Sequence, residues 1–390
     1  MISDAALYLA TPGDAPAALA VVAGRPLAFR MIVAAARAGS RRVYVPAALR
    51  TLALQSAIDS SPTAREVVTW LAPDSPPPSV PLLLLPAAAL TPPTALAPLV
   101  AAPPSAVLAS ARDADAPVAV LTPPLARPLW ATVAAGQPLG EALGRALKSE
   151  AGLAVAESGW FVRVSSPQTI AAAEARLDAE LGSPVDTRLD RVFHRRLSRP
   201  LSRLALRWRV SPNAVTVMSL IVGLAAVWCF WNCTPGQALV GLALYALAVV
   251  LDHADGEVAR LGLQESRWGA RLDVIVDTAI HALLLVALGV TAQHVAGGGA
   301  LAGAIAGVGA AGSAMLAQSP STGGGGIGAA LDALSNRDGY YAMLVIFILA
   351  LAFWPAALPV YMIFIAAGCH AFWLSQLAYQ LSRSFARHHS

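Results

Sequence analysis

Four aspartates limit what this chain can be. Asp252, Asp255, Asp273 and Asp277 lie within 251–277, and the flanks at 236–250 and 278–292 are apolar enough to be membrane helices. Carboxylates are costly beside a hydrocarbon core, and ionisable residues at that depth are by default functional. Asp252 and Asp255 are three apart and Asp273 and Asp277 four apart, so each pair shares one helix face. A short connection lets the two faces oppose each other. Converging carboxylates repel one another unless a hard divalent cation takes their oxygens, and Mg2+ or Mn2+ does so while keeping positions open for phosphate. The spacing predicts a one- or two-metal phosphate site. Gly256 and Gly269 fall where a side chain would obstruct a closely approaching ligand. Arg260 is placed to bind a phosphate as a fork. Solvated charges on a loop between two spans would explain one Asp-Gly pair, but not the whole pattern.

Written out, the stretch reads D-x-x-D-G-x-x-A-R, eight residues, then G-x-x-x-D-x-x-x-D. It resembles the signature of the CDP-alcohol phosphotransferase family at every fixed position. The resemblance implies a six-helix integral membrane enzyme of phospholipid biosynthesis, which transfers a substituted phosphoryl group from a CDP-linked donor to an alcohol and releases CMP. By position, it implies that Asp252, Asp255 and Asp273 ligate metal, with Asp277 a further ligand and the base for the acceptor hydroxyl. Asp255, Gly256, Ala259, Arg260 and Gly269 would line the CDP site. The implied cofactor is Mg2+ or Mn2+, as two ions. A CDP-linked donor, an alcohol or phospho-alcohol acceptor and membrane lipid are the implied partners, and a homodimer the implied assembly. Paired metals suit such a displacement because they stabilise attacking and leaving oxygens together. A carboxylate within hydrogen-bond reach can take the hydroxyl proton.

Other classes use parts of this pattern. A polyprenyl-transferring membrane enzyme also pairs aspartates through Mg2+, but it leaves Gly256, Ala259, Arg260 and Gly269 unexplained. A non-catalytic CDP-binding scaffold or sensor would be favoured by the loss of any one acid, and none is lost. A channel or transporter would line a path with its acids instead of clustering them at one face. Nucleic acid is excluded as a partner, because the net charge of +4 is modest and clustered and no stacked aromatic-basic pattern accompanies it.

At 390 residues and 56% hydrophobic, with charges and prolines crowding the first half, the chain divides into a soluble part and a membrane part. Residues 1–181 read as a soluble α/β domain with a parallel sheet. The runs 6–10, 42–45, 81–85 and 118–121 are short, apolar and bounded by turns, as buried parallel strands are. A helix over 27–38 ends at Gly39. The proline stretches at 75–78 and 91–93 read as loops. The opening lacks a basic region followed by a long apolar core, so this part is expected in the cytosol.

Part of it resembles a sugar-nucleotide or inositol-phosphate nucleotidyltransferase. Ala23-Gly24-Arg25-Pro26-Leu27-Ala28-Phe29-Arg30, followed by Ala38-Gly39-Ser40-Arg41-Arg42-Val43, is similar to that family's strand-helix-strand opening, and 159–177 to its closing segment. The departures are specific. Thr11-Pro12-Gly13-Asp14-Ala15-Pro16 stands where a glycine-rich basic loop would cradle the triphosphate. Leu85-Pro86-Ala87-Ala88 stands where a metal-binding aspartate would follow the central strand, and Val164-Ser165-Ser166 replaces a second acid. Without cradle or acids little remains to hold Mg2+. A degenerate, non-catalytic domain is expected, and the whole fusion resembles the bifunctional enzymes that make and use CDP-inositol.

Residues 182–210 are basic and amphipathic: Arg188, Arg191, Arg195, Arg196, Arg199, Arg203, Arg207 and Arg209 alternate with Leu189, Val192, Phe193, Leu197, Leu201, Leu204 and Trp208. Such a helix should lie in the cytoplasmic interface, apolar face in lipid and arginines toward headgroups, broken or kinked at Pro200. Arg199 and Arg203, with Arg337 further on, are candidates for binding an acceptor phosphate. Residues 211–390 form the six-helix membrane domain, with spans at 212–231, 237–258, 267–292, 298–317, 339–354 and 357–381. Arginine at alternate connections places the N-terminal domain, the metal site and the C-terminus in the cytosol, in a bacterial inner membrane. Pro212-Asn213-x-x-Thr216 also resembles the family, though a helix start explains it equally. Cys229, Cys233 and Cys369 read as packing residues. His281 lies one turn beyond Asp277 and is expected to bond a neighbouring helix, and His253 has no assigned role. The glycine run 323–326 reads as a connection.

Overall fold

The computed structural model describes residues 2–101, 106–108, 115–149, 154–156, 159–182, 187–316 and 336–388. The glycine run 323–326 lies outside them. Two compact units are present, Met1–Leu181 with Leu261–Leu263, and Gly182–Arg260 with Gln264–Ser390.

The first unit is built on a seven-stranded sheet. Its strands are β1 (Asp4–Tyr8), β4 (Arg42–Pro46), β5 (Val68–Leu71), β6 (Leu82–Pro86), β8 (Ala106–Leu108), β9 (Ala119–Leu121) and β10 (Ala154–Ala156). They are ordered β10-β8-β9-β6-β1-β4-β5. Two-stranded ribbons pair β2 (Val21–Val22) with β3 (Arg25–Pro26), and β7 (Ala89–Leu90) with β11 (Val162–Arg163). β6, and β1 after Asp4, are continuously apolar because both sheet faces are covered. Alternate residues go to opposite cores. Ala5, Leu7, Leu83 and Leu85 pack in one core with α2 (Leu27–Arg37) and α5 (Pro93–Ala101). Ala6, Tyr8, Leu82 and Leu84 pack in the other with α6 (Pro123–Ala134) and α7 (Gly140–Ser149).

The expected parallel sheet needs one correction. β1 pairs in parallel with β4 and β6, but β9 runs antiparallel to both β6 and β8. An apolar run buried on both faces carries no sign of its direction, so 118–121 could not announce its reversal. The helix expected over 27–38 runs as Leu27–Arg37, and Gly39 beyond its end takes φ +112, which favours glycine. Pro93 opens α5 instead of lying in a loop, since proline suits a first helical turn.

The second unit is helical. A short helical turn at Asp190–His194 leads into α9 (Arg195–Arg207). Then come α10 (Pro212–Trp231), α11 (Pro235–Leu261), α12 (Arg267–Ala296), α13 (Ala300–Leu316), α14 (Arg337–Phe353) and α15 (Leu358–His388). Pro200 does not end α9, which continues past it. Ser211, Ser266 and Asn336 cap α10, α12 and α14 by accepting from the amides of Ala214, Gly269 and Gly339. Among the described residues, three helices, α10, α11 and α12, are long and apolar enough to cross a membrane. Phe230, Tyr245, Leu284, Leu288, Phe347 and Met362 fill the helical core, while Ile221, Trp228, Leu239, Val308, Ile346 and Phe364 are exposed. An apolar exterior around an apolar core is what a lipid solvent permits.

Glycines set the closest helix approach. A Cβ at Gly303 of α13 would stand 2.7 Å from the Gly289 Cα and 2.8 Å from the Leu285 carbonyl oxygen of α12. Backbone meets backbone there, as small residues allow in membranes. Gly303→Val is expected to cost about 1–3 kcal/mol by forcing the helices apart. The check is the thermal midpoint in detergent, followed by tryptophan fluorescence; an unchanged midpoint would refute it.

Candidate active site

α11 runs unbroken through Asp252, Asp255, Gly256, Ala259 and Arg260, and α12 carries Gly269, Asp273 and Asp277 within its first three turns. Arg260 therefore ends a helix instead of lying in a connection. The helices bring the four acids together: Asp273 comes within hydrogen-bonding reach of Asp252 and lies in the field of Asp255 and Asp277. Their partners differ. Asp252 accepts a hydrogen bond from Arg337 Nη2. Asp255 is buried and accepts from Thr216 Oγ1 at 2.5 Å. Asp277 leaves 45% of its side chain exposed, and its Oδ1 lies 3.3 Å from His281 Nδ1. Among the described residues, no ion pair reaches Asp255 or Asp273. Four carboxylates with fewer cations against them make a donor set suited to a hard divalent ion.

The start of α10 joins this site, which a helix-start role alone would not require. Besides Thr216 on Asp255, Asn213 Oδ1 stands 3.1 Å from where a Gly269 Cβ would be, as does Ser266 Oγ. A side chain at 269 would press on both. At Gly256 a Cβ would meet Arg260 Nη1 at 3.3 Å, so the guanidinium folds back along its own helix over the glycine.

Two buried polar clusters stand beside the motif, and Arg337 is the one member of them among the expected site residues. In the first, Asp190 Oδ1 accepts from His194 Nδ1 at 2.9 Å and from His253 Nε2 at 2.7 Å, while Oδ2 accepts from the Thr187 amide at 2.9 Å. Arg337 Nη1 lies 3.7 Å from the same Oδ1, and His194 Nε2 meets the Tyr341 hydroxyl at 2.9 Å. Burial alone would push the Asp190 carboxyl up. The two histidines, the Thr187 amide and the Arg337 charge outweigh it and hold the group well below the usual carboxylate range. Asp190, His194 and His253 offer metal-ligating atoms within 4.8 Å of one another. They are bonded directly to each other with an arginine beside them, so hydrogen bonds already account for the shared oxygen. His253 thereby gains the role the sequence leaves open.

In the second cluster, Glu257 is 0% exposed. It accepts from Arg195 Nη1 at 2.9 Å and Ser198 Oγ at 2.8 Å on Oε1, and from Ser202 Oγ at 2.7 Å on Oε2. This corrects the expectation that the arginines of the basic helix face headgroups: Arg195 turns inward, because a buried carboxylate needs a partner. Leu197, Leu204 and Trp208 remain exposed, and so do Arg199 and Arg203. The visible signals were the i,i+4 spacings Asp190/His194 and Ser198/Ser202. Of the three proposed acceptor cations, Arg337 is bonded to the motif aspartate Asp252.

Residues 209–368 match the family model described as CDP-alcohol phosphatidyltransferase. The chain is 39% identical over 80 residues to a CDP-diacylglycerol–serine O-phosphatidyltransferase of Mycobacterium leprae, covering 20% of this chain and 26% of that protein. It is 39% identical over 83 residues to a CDP-diacylglycerol–glycerol-3-phosphate 3-phosphatidyltransferase of Cereibacter sphaeroides, covering 21% and 37%. It is 31% identical over 131 residues to a bifunctional IPC transferase and DIPP synthase of Thermococcus kodakarensis, covering 33% and 29%. The chain thus spans little more than a third, at most, of the length of these relatives.

Proposed function

We propose, from the premise that residues 209–368 belong to the CDP-alcohol phosphatidyltransferase family, that the protein is a membrane CDP-alcohol phosphotransferase. It moves a substituted phosphoryl group from a CDP-linked donor to an alcohol and releases CMP. The main support is the meeting of Asp252, Asp255, Asp273 and Asp277 across α11 and α12, with Thr216 bonded to Asp255. These carboxylates would hold one or two Mg2+ or Mn2+ ions, which when bound supply positive charge to the phosphate oxygens. Thr216 orients Asp255. Gly256 and Gly269 leave room for the CDP end, Ala259 lines it, and Arg260 offers a fork to its phosphates. Asp277, half-exposed, takes the proton of the acceptor hydroxyl. Arg199, Arg203 and Arg337 are the cations that would hold an acceptor phosphate.

The donor class is CDP-diacylglycerol or a soluble CDP-alcohol such as CDP-inositol phosphate, and two of the three relatives are named for CDP-diacylglycerol. Six helices spanning a bacterial inner membrane, cytosolic termini, contact with lipid and a homodimer complete the proposal. CMP release by the purified full chain in lipid nanodiscs, with Mn2+ or Mg2+ and a panel of donors and acceptors, tests it. Donor- and acceptor-dependent CMP is expected. A folded protein that binds CDP but releases CMP with no pair would put a scaffold or sensor ahead of an enzyme.

Residues 1–181 serve, in the same proposal, as a nucleotidyltransferase-like domain without its own chemistry. Its first loop already holds an anion. Asp14, 2% exposed, takes the Ala10 amide at 2.8 Å, the Thr11 hydroxyl at 2.6 Å and Arg163 Nη2 at 3.0 Å. A triphosphate arriving there would meet a buried carboxylate instead of free amides. Ala87 and Ala88 are fully buried where an acid would be needed, and Ser166 is spent capping α8 (Pro167–Ala179). The full chain is therefore expected to release no pyrophosphate from CTP and a phospho-alcohol, as read by a coupled phosphate assay. CTP-dependent pyrophosphate release above a no-acceptor blank would overturn this part.

A further inference from the structure

Asp277 and the core of the helical unit are joined by one side chain that the proposed chemistry does not yet use. His281, 12% exposed on its side chain, lies one turn further along α12. Its Nδ1 stands 2.7 Å from the Asp277 main-chain oxygen and 3.3 Å from Asp277 Oδ1. A carbonyl oxygen can only accept, so Nδ1 carries the proton and donates it to the main-chain oxygen, with the carboxylate beside it. Nε2 is then left to accept, and the Tyr245 hydroxyl of α11 stands 2.8 Å away. The ring has little freedom to turn: Tyr340 of α14 packs edge-on against it with centroids 4.4 Å apart, and Tyr245 does so at 5.8 Å. Tyr245 itself is 1% exposed. Among the described residues, His281 is the side chain whose ion-pair contact reaches the Asp277 carboxylate.

We propose that His281, oriented by Tyr245, is a positioning residue that holds the Asp277 carboxylate in one rotamer, with Oδ1 tethered and Oδ2 presented to metal and acceptor hydroxyl. This rests on the role given to Asp277 above. Both ends of the imidazole are used: Nε2 meets the tyrosine hydroxyl, and Nδ1 faces Asp277, bonded to its main-chain oxygen with Oδ1 3.3 Å away. A histidine kept only for packing would need neither bond. A carboxylate free to rotate at a half-exposed position would lose alignment, and a misplacement on the scale of an ångström costs up to about 10²-fold in rate. Outer partners that orient ligating groups are worth about 10–100-fold in metal affinity or activity.

The test compares His281→Ala, His281→Asn, His281→Gln and Tyr245→Phe in the full chain. Three readouts are used: Mn2+ affinity by electron paramagnetic resonance, steady-state CMP release, and the thermal midpoint. An asparagine amide reaches the place of Nδ1, whereas a glutamine amide reaches that of Nε2. His281→Ala is expected to weaken Mn2+ binding about 10-fold and to lower kcat by 10- to 100-fold, with the donor KM nearly unchanged. His281→Asn should recover most of both losses, His281→Gln little, and Tyr245→Phe should show a several-fold loss of the same kind. The proposal is overturned if His281→Ala keeps wild-type Mn2+ affinity and kcat. It is equally overturned if His281→Gln matches or exceeds His281→Asn, or if every loss follows the thermal midpoint. Should the wild type release no CMP with any pair, the enzymatic reading falls. The Mn2+ series still decides the role of His281.

Discussion

Asp277→Asn is expected to lower CMP release by about 10³-fold, the middle of the range for removing a general base. The change is nearly isosteric, and the remaining carbonyl oxygen can still accept from His281 Nδ1, so folding should survive. The amide cannot take a proton from the acceptor hydroxyl and is a poorer ligand for a hard cation than a carboxylate. Asp252, Asp255 and Asp273 remain, so metal-dependent CDP binding should persist, weakened by at least the about 10-fold expected of His281→Ala, while turnover collapses. Calorimetry with CDP and Mn2+, beside the CMP assay, separates the two. Asp255→Asn should behave differently, losing CDP binding along with turnover, because it removes the carboxylate that Thr216 orients. Retention of more than a tenth of wild-type turnover in Asp277→Asn would remove Asp277 from the base role.

The largest stability effect is expected from Glu257→Ala. Glu257 is fully buried, and its oxygens hold Arg195, Ser198 and Ser202. Truncation removes the carboxylate that the buried Arg195 guanidinium and the Ser198 and Ser202 hydroxyls share, a loss of about 3–5 kcal/mol. The penalty comes mainly from unbalancing a buried ion pair, which makes a second expectation. Arg195→Met combined with Glu257→Leu should be much less destabilising than Glu257→Ala, since an apolar pair of similar volume can replace a buried ion pair at little net cost. Thermal midpoints in detergent for wild type, both singles and the double make the cycle. If the double is as unstable as the sum of the singles, the cost lies in packing and not in charge.

Local spacing explains which parts of this molecule could be read in advance. Asp252/Asp255 and Asp273/Asp277 share helix faces by arithmetic, and their meeting needs only a short connection. The strands of the first unit were visible as apolar runs for the same reason: both faces of β1 and β6 are buried. Direction was not visible in β9, because burial on two faces erases the alternation that would orient it. The polar clusters were hidden for another reason. His253 meets Asp190 across 63 residues and Glu257 meets Ser198 across 59, and no periodicity links such partners. Glu257 also occupies an unspecified position of the motif, so nothing in the pattern distinguishes it from a solvated acid. The break that Pro200 could have made is absent. A proline removes one donor, yet α9 carries on through it, with buried Ser198 and Ser202 on either side.

The contact between Gly289 and Gly303 has a consequence for how the protein meets bilayers of different thickness. Where backbones touch with no side chain between them, α12 and α13 cannot slide past each other without a clash of main-chain atoms. Hydrophobic mismatch is ordinarily absorbed by tilt, by bending or by local deformation of the lipid. With this pair locked, α12 tilts only together with α13, and the depth of Asp273 and Asp277 below the headgroups follows the pair as a unit. Acyl-chain length should thus act on this protein through the lipid packed around it, leaving the register of α12 against α13 unchanged.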